Sequence, residues 1–158
     1  MTRAYPLWAL FGVLAVSCAL LARRRGMAWS RLLAAWAFAS VLLWVGAGAV
    51  GFLGGFLHGG LDVRGPEDMV GFSIGAPLGA LAGALLGIAL SERLLRKAWP
   101  RWQAIALAGG ALVVVAALVL FILRGLANSE QQAGRSVLVV FPLLGAAPVL
   151  GWLIGERT

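Results

Sequence analysis

Few side chains in this sequence could carry out chemistry, and the most suggestive of them lie between residues 58 and 68. His58 is the only histidine, Asp62 follows four residues later, and Glu67 and Asp68 come soon after. An imidazole beside carboxylates could bind a metal ion or carry a proton. A transition metal usually takes several nitrogen or sulfur ligands, however, and one histidine supplies only one of them. We therefore treat these four residues as weak outer-face candidates and expect no metal site.

No other arrangement of residues points to catalysis. The single cysteine, Cys18, excludes an internal disulfide and a cysteine-cluster metal site, and within an apolar run it should behave as a small hydrophobic residue. The sequence contains no serine–histidine dyad and no phosphate-binding glycine loop, because its glycines lie within apolar stretches. We therefore expect a protein that is not an enzyme, with no catalytic residue and no bound cofactor.

The composition indicates the environment in which these residues must be positioned. Of the 158 residues, 61% are hydrophobic and only 12% are charged, and the mean hydropathy is +0.94. A typical globular chain carries roughly 25% charged residues. A small soluble domain exposes too much of its surface to hide this much apolar material. Soluble enzymes, disordered segments and disulfide-rich modules are thereby excluded, and a chain embedded in lipid is predicted.

The predicted fold is an all-α integral membrane protein in which residues 1–158 form a single transmembrane bundle. A membrane helix needs about 20 mostly apolar residues. Five transmembrane helices are predicted, with the bounds Tyr5–Leu21, Leu32–Leu57, Val70–Leu90, Ala104–Leu123 and Val137–Ile154. The segments between them are short, and we expect Arg124–Ser136 to form a brief irregular loop.

The basic residues predict the orientation of this bundle. With the N-terminus outside, the inner segments hold nine of the thirteen lysines and arginines, and positive residues prefer the cytoplasmic side. The net charge of +7 is then a signal for an N-out, C-in orientation, and no nucleic-acid partner is implied. Tryptophans are expected at the interfaces, with Trp8 at the outer one and Trp29, Trp99, Trp102 and Trp152 at the inner one. The alanine, leucine and arginine content suggests a bacterial plasma membrane.

Two alternatives remain open at the ends of the first and third spans. The run that ends in Ser17-Cys18-Ala19 resembles a signal peptide, but cleavage there would leave the Arg23–Arg25 triplet outside, against the charge rule. The segment Ser91–Trp102 carries four basic residues and two tryptophans, so it could lie on anionic lipid headgroups or serve only as a positive-inside loop.

Glycine recurs every fourth residue along the third span. Residues four apart share one helix face, so this face is nearly bare backbone and allows another helix to approach closely. The second span offers a similar ridge, and Gly151 and Gly155 extend the spacing to the fifth span. Packing within one chain, an oligomer interface and a pore lining all remain possible uses. The predicted helix-packing residues are Gly51, Gly55, Gly71, Gly75, Gly79, Gly83, Gly87, Gly151 and Gly155.

A second regularity suggests an internal repeat. Leu86-Gly87 and Leu150-Gly151 are each followed, after four residues, by Glu-Arg, which gives an offset of 64. Pro77 and Pro142 lie 65 apart. We interpret residues 31–93 and 101–157 as a possible tandem repeat, so that one helix precedes two helical hairpins. In transporters, sites lie between such copies.

The interior holds little that could act on a substrate. Every charge lies at a helix end or in a loop, and Glu92 and Glu156 are expected to pair with Arg93, Arg96 or Arg157. The main hypothesis is an accessory, assembly or structural subunit of a larger membrane complex, whose partners are the lipid bilayer and other membrane subunits or further copies of itself. The alternative is a small transporter or channel, with its pathway between the two hairpin repeats or along the glycine ladder.

Overall fold

A computed structural model describes residues 5–59, 66–97, 100–126 and 130–156 of the chain. Across these ranges the protein is helical and contains no strand. The five helices are α1 (Tyr5–Arg24), α2 (Trp29–Gly59), α3 (Pro66–Arg96), α4 (Trp102–Leu126) and α5 (Glu130–Gly155). Each predicted span lies inside one of these helices, in the predicted order, and the all-helical class is therefore confirmed.

Four of the helices carry stretches that are long and apolar enough to cross a bilayer. These stretches are Pro6–Arg24, Trp29–Leu57, Ser73–Arg96 and Trp102–Ile122. In α5, the apolar stretch within the described residues is the shorter Pro142–Gly155. Helices suit a bilayer, because a backbone in lipid must satisfy its hydrogen bonds within its own segment.

The described connections between helices are short and use residues in the left-handed region. Gly26, with φ of 61°, lies in the turn between α1 and α2, where the absence of a Cβ makes this conformation accessible. Lys97, with φ of 53°, ends α3 in the left-handed conformation that commonly terminates helices. The prediction of an irregular loop over Arg124–Ser136 is wrong for most of its length. Helix α4 continues to Leu126 and α5 begins at Glu130, because glutamate, glutamine and alanine at 130–133 favour helix.

Helix α5 is the central element of the bundle, because it contacts each of the other four helices. Helices α2 and α3 form one long hairpin and α4 and α5 a second, and α1 packs mainly on α5. Leu143, Ala147 and Trp152 of α5 are fully buried, and they lie in the two clusters of buried side chains that form the core. The two hairpins therefore share a single core that runs along α5.

The α2–α3 hairpin is closed by contact between backbones. A methyl group added to each of the five glycines that recur along α3 would overlap a carbonyl of α2. The pairs are Gly71 with Gly54, Gly75 with Val50, Gly79 with Gly46, Gly83 with Leu42, and Gly87 with Phe38. From one pair to the next, the residue number rises by four in α3 and falls by four in α2, so the two helices are antiparallel. An antiparallel pair with small residues on the facing row can therefore approach until dispersion and Cα–H···O contacts form.

The second hairpin repeats part of this contact. A methyl group at Gly151 would overlap the Leu107 carbonyl and approach Ala108, just as one at Gly87 would overlap the Phe38 carbonyl and approach Ala39. A methyl group at Gly155 would meet Ala104. The α2–α3 and α4–α5 pairs thus both come into backbone contact at glycines near the ends of α3 and α5.

Candidate functional site

The weak outer-face candidates lie largely outside the described residues. Asp62 is not described, and neither are the side chains of His58, Glu67 and Asp68, although their backbones belong to α2 and α3. The expectation that these four residues are weak candidates and form no metal site stays a prediction. Among the side chains that the structure describes, no group of three histidine, cysteine, aspartate or glutamate residues could hold a metal ion.

The principal polar site lies at the opposite end of the bundle, where four charged side chains from three helices meet. We call Arg31, Glu92, Arg96 and Glu156 the ionic cluster. Arg31 donates from Nε to Glu92 Oε1 and from Nη2 to Glu92 Oε2, both at 2.7 Å. The same Nη2 donates to Glu156 Oε1 at 2.9 Å. Arg31 therefore links the end of α3 to the end of α5.

The remaining members complete the charge balance of the ionic cluster. Arg96 Nη1 lies 3.9 Å from Glu92 Oε2 and 3.8 Å from Glu156 Oε1, with a side chain that is 53% exposed. Two arginines thus face two carboxylates, and the formal charge of the cluster is zero. The Arg31 guanidinium also lies 5.1 Å from the ring centroid of Trp152, within the range of a cation–π contact.

The cluster differs from a surface ion pair because its central groups are withdrawn from water. The side chain of Glu92 is 3% exposed and that of Arg31 is 16% exposed. A bidentate arginine–carboxylate pair is among the stronger hydrogen-bonded arrangements. Breaking a buried pair by removing one partner is costly because the other charge remains buried and uncompensated. The cluster can therefore fix three helix ends relative to one another.

The folding of the two hairpins explains how these side chains meet. The antiparallel register that places Gly87 against Phe38 also brings the end of α3 to the beginning of α2, where Arg31 lies. Helix α5 ends at the same level, because Gly155 contacts Ala104 at the start of α4. The two Glu-Arg motifs at an offset of 64 residues thereby bring Glu92 and Glu156 to one guanidinium.

The sequence predicted part of this cluster. Arg96 contacts both carboxylates as expected, and Arg157 lies outside the described residues. The shortest bonds involve Arg31, which sequence reasoning counted only as an orientation signal. The sequence did contain a signal for this role. Arg31 lies in the first turn of α2, and the antiparallel helix α3 ends shortly after Glu92-Arg93. Trp152, which is expected near the inner interface, lies beside this cluster, and its side chain is fully buried against the Arg31 guanidinium.

Some polar side chains within the helices donate hydrogen bonds to backbone carbonyls. Trp36 Nε1 donates to the Pro142 carbonyl at 3.1 Å, and Ser91 Oγ donates to the Ile88 carbonyl at 2.8 Å. Ser40 lies against Gly145 at the contact between α2 and α5, and its buried hydroxyl has no hydrogen-bond partner in the described structure. These groups fix the packing of helices and offer neither a nucleophile beside a base nor a ligand set.

Comparisons with protein-family models, with curated proteins and with solved structures give no match. The candidate site is the ionic cluster, a set of four side chains with no net formal charge that joins the ends of the two hairpins.

Proposed function

We propose that this protein is a multi-pass protein of a bacterial plasma membrane and an accessory, assembly or structural subunit of a larger membrane complex. In this proposal all five helices cross the bilayer. The apolar stretch described in α5 is short, but the helix has 26 residues. At 1.5 Å per residue it extends about 39 Å, compared with a hydrocarbon core about 30 Å thick.

The proposed orientation places the N-terminus outside and the ionic cluster at the cytoplasmic side. The end of the bundle that contains the cluster carries all eight of the basic side chains that the structure describes. They are Arg23, Arg24, Arg25, Arg31, Arg93, Arg96, Lys97 and Arg101. Among the described side chains, two carboxylates, Glu92 and Glu156, accompany them there. An excess of lysine and arginine in short segments favours the cytoplasmic side.

The proposed architecture is one helix followed by two tandem hairpins that pack through small-residue, GxxxG-type faces. Two observations support it. The five glycines of α3 lie against the carbonyls of α2, and Gly151 repeats the contact of Gly87 in the second hairpin. The ionic cluster, in which Glu92 and Glu156 share one arginine, joins the proposed copies at their equivalent ends.

The observation that carries the subunit proposal is a small-residue face of α4 that remains open. Ala106 and Gly110 are four residues apart and both are exposed, and a methyl group added to Gly110 would meet nothing within 4 Å. Small residues at this spacing permit close association of helices in membranes. The equivalent faces of α3 and α5 are already covered by α2 and α4. A helix of another subunit would find on α4 a face of the same kind.

The test of this proposal is a substitution on the outer surface of α4. Gly110→Leu should leave the chain folded, because the new side chain enters open space and leucine favours helix over glycine. It should nevertheless lower the mass of the particle extracted in mild detergent, since close approach is lost. The control is Gly48→Leu, the same change at an exposed position of α2 where a methyl group also meets nothing within 4 Å, and it should leave that mass unchanged. Equal particle masses for the two variants would contradict a partner on this face.

The alternative of a small transporter or channel has less support in the geometry. The described glycines of α3 lie in contact with the α2 backbone, and the groove of about 220 Å³ beside Gly54, Gly71 and Gly75 has a predominantly apolar lining. The ionic cluster between the hairpins is neutral and internally bonded. Solute flux into vesicles that contain the purified chain, above that of protein-free vesicles, would favour the alternative.

A further inference from the structure

An apolar groove opens on the side of the bundle between α1, α2 and α5. Its volume is about 240 Å³, and nearly all of its lining is carbon. The lining includes Phe11, Ala15 and Ala19 from α1, Trp29 and Trp36 from α2, and Val149 from α5. A groove of this kind in a bilayer is filled by whatever apolar chain lies beside it, because water there would find no polar partners.

The end of the groove coincides with the most concentrated positive charge in the chain. Ala15, Ala19 and Arg23 are spaced four apart, so they lie on one face of α1, and Arg23 follows directly after the groove. Arg23 and Arg24 are exposed and Arg25 follows them in the turn to α2. Both described carboxylates at this end, Glu92 and Glu156, already accept hydrogen bonds from Arg31. The mouth of the groove is therefore complementary to an anion.

The position of Trp29 indicates the depth at which the groove lies in the membrane. It lines the groove, is 57% exposed, and lies in the first turn of α2. Tryptophan prefers the interface between headgroups and hydrocarbon. With Trp29 at that level, the exposed side chains of Arg23 and Arg24 lie among the headgroups, and Phe11 and Ala15 lie in the hydrocarbon. The groove thus runs from the headgroup layer into the apolar layer.

We propose that the α1–α2–α5 groove binds one anionic phospholipid, with an acyl chain along Ala15 and Ala19 and the headgroup phosphate at Arg23 and Arg24. Basic pockets between transmembrane helices on the cytoplasmic side are known to receive anionic headgroups. The site is separate from the ionic cluster, whose charges neutralise one another. The inference requires the chain to lie in a bilayer, as proposed above, but it requires no protein partner.

The experiment measures lipid binding to the full chain, purified in mild detergent, by native mass spectrometry. Phosphatidylglycerol and phosphatidylcholine with identical acyl chains are added separately as probes. We expect one phosphatidylglycerol to bind in preference to phosphatidylcholine. Each arginine near an anionic headgroup raises the binding constant about fivefold. The double variant Arg23→Gln/Arg24→Gln should therefore bind phosphatidylglycerol more than tenfold more weakly. Arg101→Gln, an exposed basic residue at the same end, is the charge control and should change the affinity little.

A second pair of variants tests the groove itself. Ala19→Leu fills the groove and should abolish the retained lipid, and Ala15→Leu should do the same if Ala19→Leu fails to fold. Ala117→Leu, on the exposed face of α4, is the matched control and should keep the lipid. Equal binding of the two lipids, displacement of phosphatidylglycerol by inorganic phosphate, retention of lipid by a folded groove-filling variant, or a second copy of the chain in place of lipid would each overturn the inference. None of these outcomes bears on the subunit proposal, which concerns α4.

Discussion

Replacing Gly79 by leucine is expected to prevent the α2–α3 hairpin from closing. The first side-chain carbon would overlap the Gly46 carbonyl and crowd the Val50 side chain. Because the first obstacle is backbone, no rotamer change relieves it, and the two helices have to separate along their whole contact. Overpacking usually costs about 1–3 kcal/mol of unfolding free energy, and we expect a loss at the upper end of that range or beyond it. Thermal unfolding in mild detergent, followed by tryptophan fluorescence, measures the effect.

The matched control for this change lies on the same hairpin. Gly48→Leu places the same side chain on the outer face of α2, where a methyl group meets nothing within 4 Å. Surface substitutions of this kind usually change stability by less than about 0.5 kcal/mol. Equal stability of the Gly79 and Gly48 variants would mean that the glycine row is not a packing surface. If Gly79 instead lined a channel, its leucine variant would keep the fold and lose solute flux.

Removing the guanidinium of Arg31 is expected to have the second large effect. Arg31→Met leaves the Glu92 carboxylate, whose side chain is only 3% exposed, without the partner that holds both of its oxygens. Breaking a buried pair in this way typically costs about 3–5 kcal/mol. Arg96→Met is the control, because Arg96 is half-exposed and its contacts are close to 4 Å. Exposed pairs contribute about 1 kcal/mol at most.

A double variant separates the charge of Glu92 from the packing of Arg31. Arg31→Met with Glu92→Gln removes the uncompensated carboxylate, so it should recover much of the stability lost by Arg31→Met alone. Unfolding of the four proteins in the same detergent gives the comparison. If the single Arg31 variant matched Arg96→Met, or the double variant recovered nothing, the ionic cluster would not be the clamp between the hairpins.

The helices themselves could be predicted because the composition indicates a lipid environment, and lipid leaves the backbone few other solutions. The spacing of Gly71 to Gly87 likewise predicts a face suited to close approach, since that argument needs only the helical period. The role of Arg31 could not be predicted in this way. It depends on which residues of α3 and α5 reach the same level as the first turn of α2, and that level is set by contacts such as Gly87 with Phe38 and Gly155 with Ala104.

Trp152 and the connector after α4 show two other limits of sequence reasoning. A tryptophan near a helix end is usually exposed at the membrane interface. The side chain of Trp152 is instead fully buried, and its ring lies against the Arg31 guanidinium of the ionic cluster. The segment 130–136 is polar and was expected to be irregular, although most of its residues favour helix. The polarity of this segment did not determine its backbone conformation.

The most direct test of the subunit proposal is the mass of the particle that carries the native chain. The protein is tagged at its own locus, extracted in mild detergent and weighed by native mass spectrometry after removal of the detergent. We expect a mass that exceeds the 16.5 kDa of one chain, because other membrane subunits or further copies of the chain remain attached. A particle that contains a single copy of the chain and no other protein would contradict the proposal.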